Sequence, residues 1–183
     1  MAKIVQQLNS VMAAATLSSS SPSIGLRSRD EVYIGAVPLR ATKGPAQSLM
    51  STAYSLNFWD LQHFIVILKP SYPPSLSHQA LVYDFQPQDP ESIWVAVAAL
   101  SGRKVSGVIL TRELRKLPKR KCWFVGYSKE NAIDTAHEFN ENWDTDLRIG
   151  RNDCRDYCQG LVEYLTGEKD VLEHLRESRN STM

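Results

Sequence analysis

The clearest pattern along the chain is the uninterrupted apolar run Phe64-Ile65-Val66-Ile67-Leu68, opened by His63 and closed by Lys69-Pro70. Its continuity, its β-branched members and its length of about six residues predict a buried strand. A loop rich in Pro and Ser, residues 71–77, separates it from a second run, Ala80 to Phe85. The two together predict an antiparallel hairpin with an extended connection. A shorter strand is expected over Glu31 to Val37, where Pro38 limits its continuation. Val105 to Thr111 and Cys122 to Tyr127 are β-rich and bounded by breakers, so more sheet follows. Ser92 to Leu100 fits a short helix or another strand, because its periodicity does not separate the two. Ala46 to Asp60 mixes helix formers with Ser, Thr and Asn that interrupt them.

Helical spacing is plainer toward the end of the chain. A helix is predicted over Lys129 to Trp143, with Ser128 as its N-cap and Ala132, Ile133, Ala136, Phe139 and Trp143 along one face. A second starts around Cys154 behind Asn152 or Asp153 as cap, buries Tyr157, Leu161, Val162 and Leu165, and stops at Gly167. The charged remainder, residues 168–183, is expected to fray into a disordered tail. The fold class predicted from this order is α+β: an antiparallel sheet packed against the late helices.

Composition narrows the setting. With 183 residues, 43 % hydrophobic and 22 % charged, the chain is long enough for one mixed core. No apolar stretch approaches the roughly 18 residues of a membrane-spanning helix, and a soluble protein is expected. Three cysteines, Cys122, Cys154 and Cys158, are too few and too odd a number for a secreted disulfide framework, so a reducing compartment fits better. Residues 1–29 lack Asp and Glu, carry only Lys3, Arg27 and Arg29 as charges, and include a Ser-rich stretch from Ser18 to Ser23. That bias fits either an organelle transit peptide or a plain disordered tail; a secretory signal, with only Val11 to Leu17 as its apolar part, fits less well. The expected organisation is therefore a leader or tail over 1–29, one domain over 30–167 and a charged tail over 168–183. The expected location is the plastid, the chloroplast, with the cytoplasm as the alternative.

Candidate chemistry centres on Cys154 and His63. The N-terminus of a helix carries about half a positive charge and several amide donors without partners. A cysteine in that first turn gains thiolate character, and the neighbouring amides are placed to hold an oxyanion. A thiol nucleophile also needs a base and a third group to orient it. His63 supplies the ring, and Asp84, at the corresponding level of the next strand, supplies the orienting carboxylate.

Three short motifs carry a family resemblance. Leu61-Gln62-His63-Phe64-Ile65-Val66-Ile67, then Leu81-Val82-Tyr83-Asp84-Phe85-Gln86-Pro87, then Asn152-Asp153-Cys154-Arg155-Asp156-Tyr157 follow the order strand-borne His, polar residue on the next strand, and Cys at the head of a late helix. In this the chain resembles the circularly permuted papain-like proteins, among them the lecithin:retinol acyltransferase group and NlpC-type thiol hydrolases. The resemblance spans about residues 31–167. It implies a permuted papain-like fold and an acyl-enzyme mechanism. In it His63 deprotonates Cys154, Asp84 orients His63, and the thiolate attacks an ester, thioester or amide of a small-molecule, lipid or peptide substrate. It implies no cofactor. The chain departs from the family at Asp153, where Asn commonly precedes the cysteine, and a carboxylate beside a thiol disfavours the thiolate. The alternative within the same fold is an inactive member acting as a binding or assembly protein.

Other readings of these residue types carry less. Cys122, Cys154, Cys158 and His137 comprise the metal-ligating types, but none falls in a Cys-x-x-Cys or His-x-x-x-His spacing, and no metal site is expected. Cys158, one turn after Cys154, reads as core. The basic run Arg112, Arg115, Lys116, Lys119, Arg120 and Lys121 joins two predicted strands and reads as a solvated hairpin loop. A net charge of +1 gives it no strong field, so an RNA or anionic-surface role ranks last.

Overall fold

The computed structural model describes residues 29–38, 62–71 and 79–180. The expectations for the N-terminal leader and for Ala46 to Asp60 fall outside the described residues. Within them the elements follow in the order β1 Glu31–Pro38, β2 Gln62–Lys69, β3 Ala80–Pro87, α1 Ile93–Leu100, β4 Val105–Leu114, β5 Cys122–Tyr127, α2 Ala132–Glu141, β6 Asp146–Leu147, α3 Cys154–Thr166 and α4 Val171–Asn180. The class is α+β, as the patterning predicts.

All strand pairs are antiparallel, in the order β5-β1-β2-β3-β4-β6. β2 is interior to the sheet, and Gln62 to Leu68 are all buried. Its residues alternate between two clusters. Phe64, Val66 and Leu68 pack with Tyr83, Phe85 and the helix residues Ala132, Ala136, Tyr157, Leu161, Val162 and Leu165. Ile65 and Ile67 pack with Ala80 and Val82 on the other side, against Tyr33, Val37, Leu114, Leu117 and Cys122. A strand covered on both faces has no solvent side, which is why this run is apolar throughout.

The connection from β4 to β5 is not a hairpin. β5 pairs with β1, at Glu31↔Tyr127 through Gly35↔Cys122, on the far side of the sheet from β4. Residues 115–121 therefore cross the sheet, and Leu117 and Cys122 join the Ile65/Ile67 cluster as they do so. Burial of these two side chains offsets the cost of a crossover that the loop's charges disguise in the sequence. Arg115, Lys116, Lys119 and Arg120 remain exposed, as expected of a solvated run.

Two helix boundaries differ from the sequence reading for local reasons. α2 begins at Ala132 rather than Lys129, and its cap is Asn131, whose side-chain oxygen accepts from the Ile133 and Asp134 amides. Ser128 is instead buried, with its amide bonded to the Asp30 carbonyl. The Asp30 carboxylate accepts from the Ala132 amide at 3.0 Å and from the Ser71 amide at 2.8 Å, tying the first described residues to the exit of β2 and the head of α2. The charged segment after Gly167 forms α4, because Val171, Leu172 and Leu175 find places against the helix-side core. The undecided segment from Ser92 is helical, with Ser92 as N-cap. Its bulky residues Ile93, Trp94, Val97 and Leu100 face outward while Ala99 faces in.

Gly107 in β4 has no room for a side chain. A Cβ there would lie 2.6 Å from the Phe85 ring and 2.8 Å from the Thr145 carbonyl oxygen, which accepts the Gly107 amide bond. Gly107→Ala is expected to destabilise the fold by about 1–3 kcal/mol, read as a lower urea midpoint with an unchanged m-value.

Candidate active site

The ladder between β2 and β3 pairs Val66 with Tyr83 and Leu68 with Leu81. His63 and Asp84 lie past its end, where their side chains bridge the two strands. His63 Nε2 stands 2.6 Å from Asp84 Oδ1, and the two residues are 8 % and 2 % exposed. A carboxylate so far from water is costly unless both oxygens are engaged. The second oxygen, Oδ2, accepts from an Arg112 NH2 group at 2.5 Å. Arg112 was grouped in the sequence with the solvated run; the structure detaches it and turns it onto Asp84. Its place in β4 explains the reach. Val82 is opposite Arg112 and Asp84 opposite Leu110, so Arg112 and Asp84 are diagonal neighbours.

Cys154 is the first residue of α3 and is partly exposed. Asp153 is the N-cap, and the cap is reciprocal: Asp153 accepts from amides of the first turn while Asp156 Oδ2 accepts from the Asp153 amide at 2.9 Å. Asp153 Oδ1 takes the Arg155 amide at 2.8 Å and Oδ2 takes the Gly150 amide at 2.8 Å. The carboxylate that precedes the cysteine is thus occupied by backbone donors. Of the early helix amides, Tyr157 bonds the Asp153 carbonyl and Arg155 and Asp156 are capped, which leaves that of Cys154 itself.

The loop before the helix is fastened as firmly. Asn152 donates to the Asp144 and Asp146 carbonyls at 2.8 and 2.9 Å, and exchanges backbone bonds with Arg148. Gly150 takes the positive φ of 75° that closes this turn. Arg148 Nε reaches the Gly102 carbonyl at 2.9 Å, linking the loop to the end of α1.

The His63 ring hydrogen-bonds to Asp84, and the Cys154 thiol stands near enough to act on the ring's titration. Burial by itself would lower the His63 pKa. The hydrogen bond to Asp84, with the nearby Cys154 thiol and the charge of the carboxylate, outweighs it and raises the value to about 10. Cys158, one turn on, is fully buried, and burial pushes its thiol well above the ordinary value. It belongs to the core, as the sequence suggests. Among the described residues no three His, Cys, Asp or Glu side chains stand close enough to share a metal ion. His137 packs edge-on against Tyr83 instead.

Two surface hollows lie away from this group. One, of about 1240 Å³, is lined by Asp30, Ser71, Ser128 and Lys129 among others; the second, of about 590 Å³, lies beside Trp94 and Val105. Neither is lined by His63, Asp84 or Cys154. No helix among the described residues is long and apolar enough to cross a membrane. Comparison with known proteins finds no matching family model, no matching curated protein and no matching solved structure. The likeness to permuted papain-like proteins thus rests on the three short motifs alone.

Two outcomes are expected. Because the His63 pKa is raised on folding from about 6.5, its stabilising contribution is complete below about pH 6.5 and is lost as pH rises toward about 10. Urea titrations across that window should show the wild-type chain losing stability more steeply than His63→Gln. Asp153→Ala should cost about 1 kcal/mol through loss of the cap, and Asp153→Asn, which keeps an acceptor for the Arg155 amide but turns an NH2 group toward the Gly150 amide, should lower the thermal midpoint by less.

Proposed function

We propose that this chain is a cysteine-dependent hydrolase or acyltransferase of permuted papain-like type, acting on an ester, thioester or amide through an acyl-enzyme. The observation that carries the reading is the buried His63–Asp84 pair, bonded at 2.6 Å, with Cys154 close to the ring at the head of a helix. A protonated ring donates at both nitrogens. The sulfur then acts as acceptor, the arrangement of a thiolate and an imidazolium.

The chemistry follows from those positions. The Cys154 sulfur attacks the carbonyl carbon, and the carbonyl π electrons move onto oxygen. The Cys154 amide, which the cap does not engage, would be available to that oxyanion. His63 gives its proton to the departing alcohol, thiol or amine as the carbon–heteroatom bond breaks, leaving a thioester on Cys154. Water or an acyl acceptor then attacks the thioester and loses its proton to His63, and the thiolate leaves. Asp84 keeps the ring in one orientation throughout. The capping of Asp153 supports activity despite the departure from Asn, because that carboxylate is engaged by amides rather than aimed at the sulfur. The acid-poor composition of residues 1–29 is the basis for placing this activity in a plastid.

Iodoacetamide at neutral pH should label Cys154 ahead of Cys122 and the buried Cys158 in the folded chain, and His63→Ala should slow that labelling by at least about tenfold. Peptide mass mapping of the labelled protein gives the site. A folded chain whose Cys154 is inert would sink the enzyme reading and favour the binding or assembly protein.

A further inference from the structure

We infer that Arg112 is a fourth member of the site, a positioning residue that holds the Asp84 carboxylate in the one orientation that serves His63. The inference deepens the acyl-transfer proposal and rests on it for its kinetic consequence. Its structural basis is the chain of contacts from Arg112 to Asp84 Oδ2 at 2.5 Å and from Asp84 Oδ1 to His63 Nε2 at 2.6 Å. Two partners on opposite oxygens leave the carboxylate no free rotation. Its diagonal position across β3 and β4 means that strand register, rather than loop conformation, sets the reach.

Arg112 differs in kind from the basic residues that follow it. Arg115, Lys116, Lys119 and Arg120 are exposed, whereas the Arg112 Nε atom is buried and without a hydrogen-bond partner. Burying a donor without a partner is a cost, offset here by the ion pair with a carboxylate that is itself 2 % exposed. The Arg112 side chain is 40 % accessible overall, and the contact it makes inward is the one to Asp84. Without it, Asp84 Oδ2 would be a buried acceptor lacking a donor, and the carboxylate would turn to find one, breaking its alignment with the imidazole. A planar, permanently charged group suits this task better than an ammonium, although an ammonium at the same place retains the charge.

The full chain carrying Arg112→Met or Arg112→Lys tests this with a readout that simple destabilisation does not produce. The proton of a short, buried His63–Asp84 hydrogen bond gives a far-downfield ¹H NMR resonance at low temperature, assigned by its disappearance in His63→Gln. The resonance is expected in the wild-type chain, lost in Arg112→Met and regained in Arg112→Lys, with circular dichroism unchanged in both variants. In parallel, Arg112→Met should slow iodoacetamide labelling of Cys154 by about tenfold, and Asp84→Asn/Arg112→Met should be no slower than Asp84→Asn, because the two residues act in series. A resonance that persists in Arg112→Met, or that is absent from the wild-type chain, overturns the inference whether or not Cys154 reacts. Loss in Arg112→Met and return in Arg112→Lys, with Cys154 inert in every variant, would uphold the positioning of Asp84 while overturning the acyl-transfer reading.

Discussion

A carboxylate taken almost wholly out of water must be answered by donors on both of its oxygens, and much of the arrangement around Asp84 follows from that requirement. One answer comes from β2, as His63, and the other from β4, as Arg112. The three central strands are therefore tied by charge as well as by their ladders. The same pairing raises the His63 pKa, so the electrostatic state of the ring belongs to the sheet rather than to an isolated histidine. Satisfying a buried anion and raising the histidine pKa are here one arrangement.

The helix that presents Cys154 meets a comparable problem at its head, where amides need acceptors. Asp153 and Asp156 meet it by reciprocal capping, and Asn152 fastens the preceding turn. A carboxylate next to a thiol looks unfavourable when only charge is counted. Once the geometry is considered, its lone pairs are directed at the Arg155 and Gly150 amides. The residue that separates this chain from the motif it resembles also has a structural task, which Asn could share.

His63, Asp84 and Cys154 were legible in the sequence because each sits beside a strong local signal: an apolar run, a second run and a capped helix. Arg112 was not, because its partner is chosen by the β3–β4 register, a non-local quantity, and its neighbours made it look like part of a solvated loop. The crossover to β5 was hidden for the same reason, since seven residues rich in Lys and Arg read alike whether they turn back or cross the sheet. Leu117 was the one apolar hint. The sequence pattern points to Ser128 as the cap. The structure selects Asn131, with Asp30, far away in sequence, also reaching the head of α2. Residues 168–183 read as tail because charge dominates their composition, yet three apolar side chains place a helix there.

The crossover also fixes when the sheet can be finished. β1 is one of the first described segments to leave the ribosome, but its outer neighbour β5 ends at Tyr127. Until that strand is made, one row of β1 amides and carbonyls stands open beside a largely buried, apolar strand, an edge able to pair with another nascent chain. Any delay between β2 and β5 lengthens the time for which that edge is exposed.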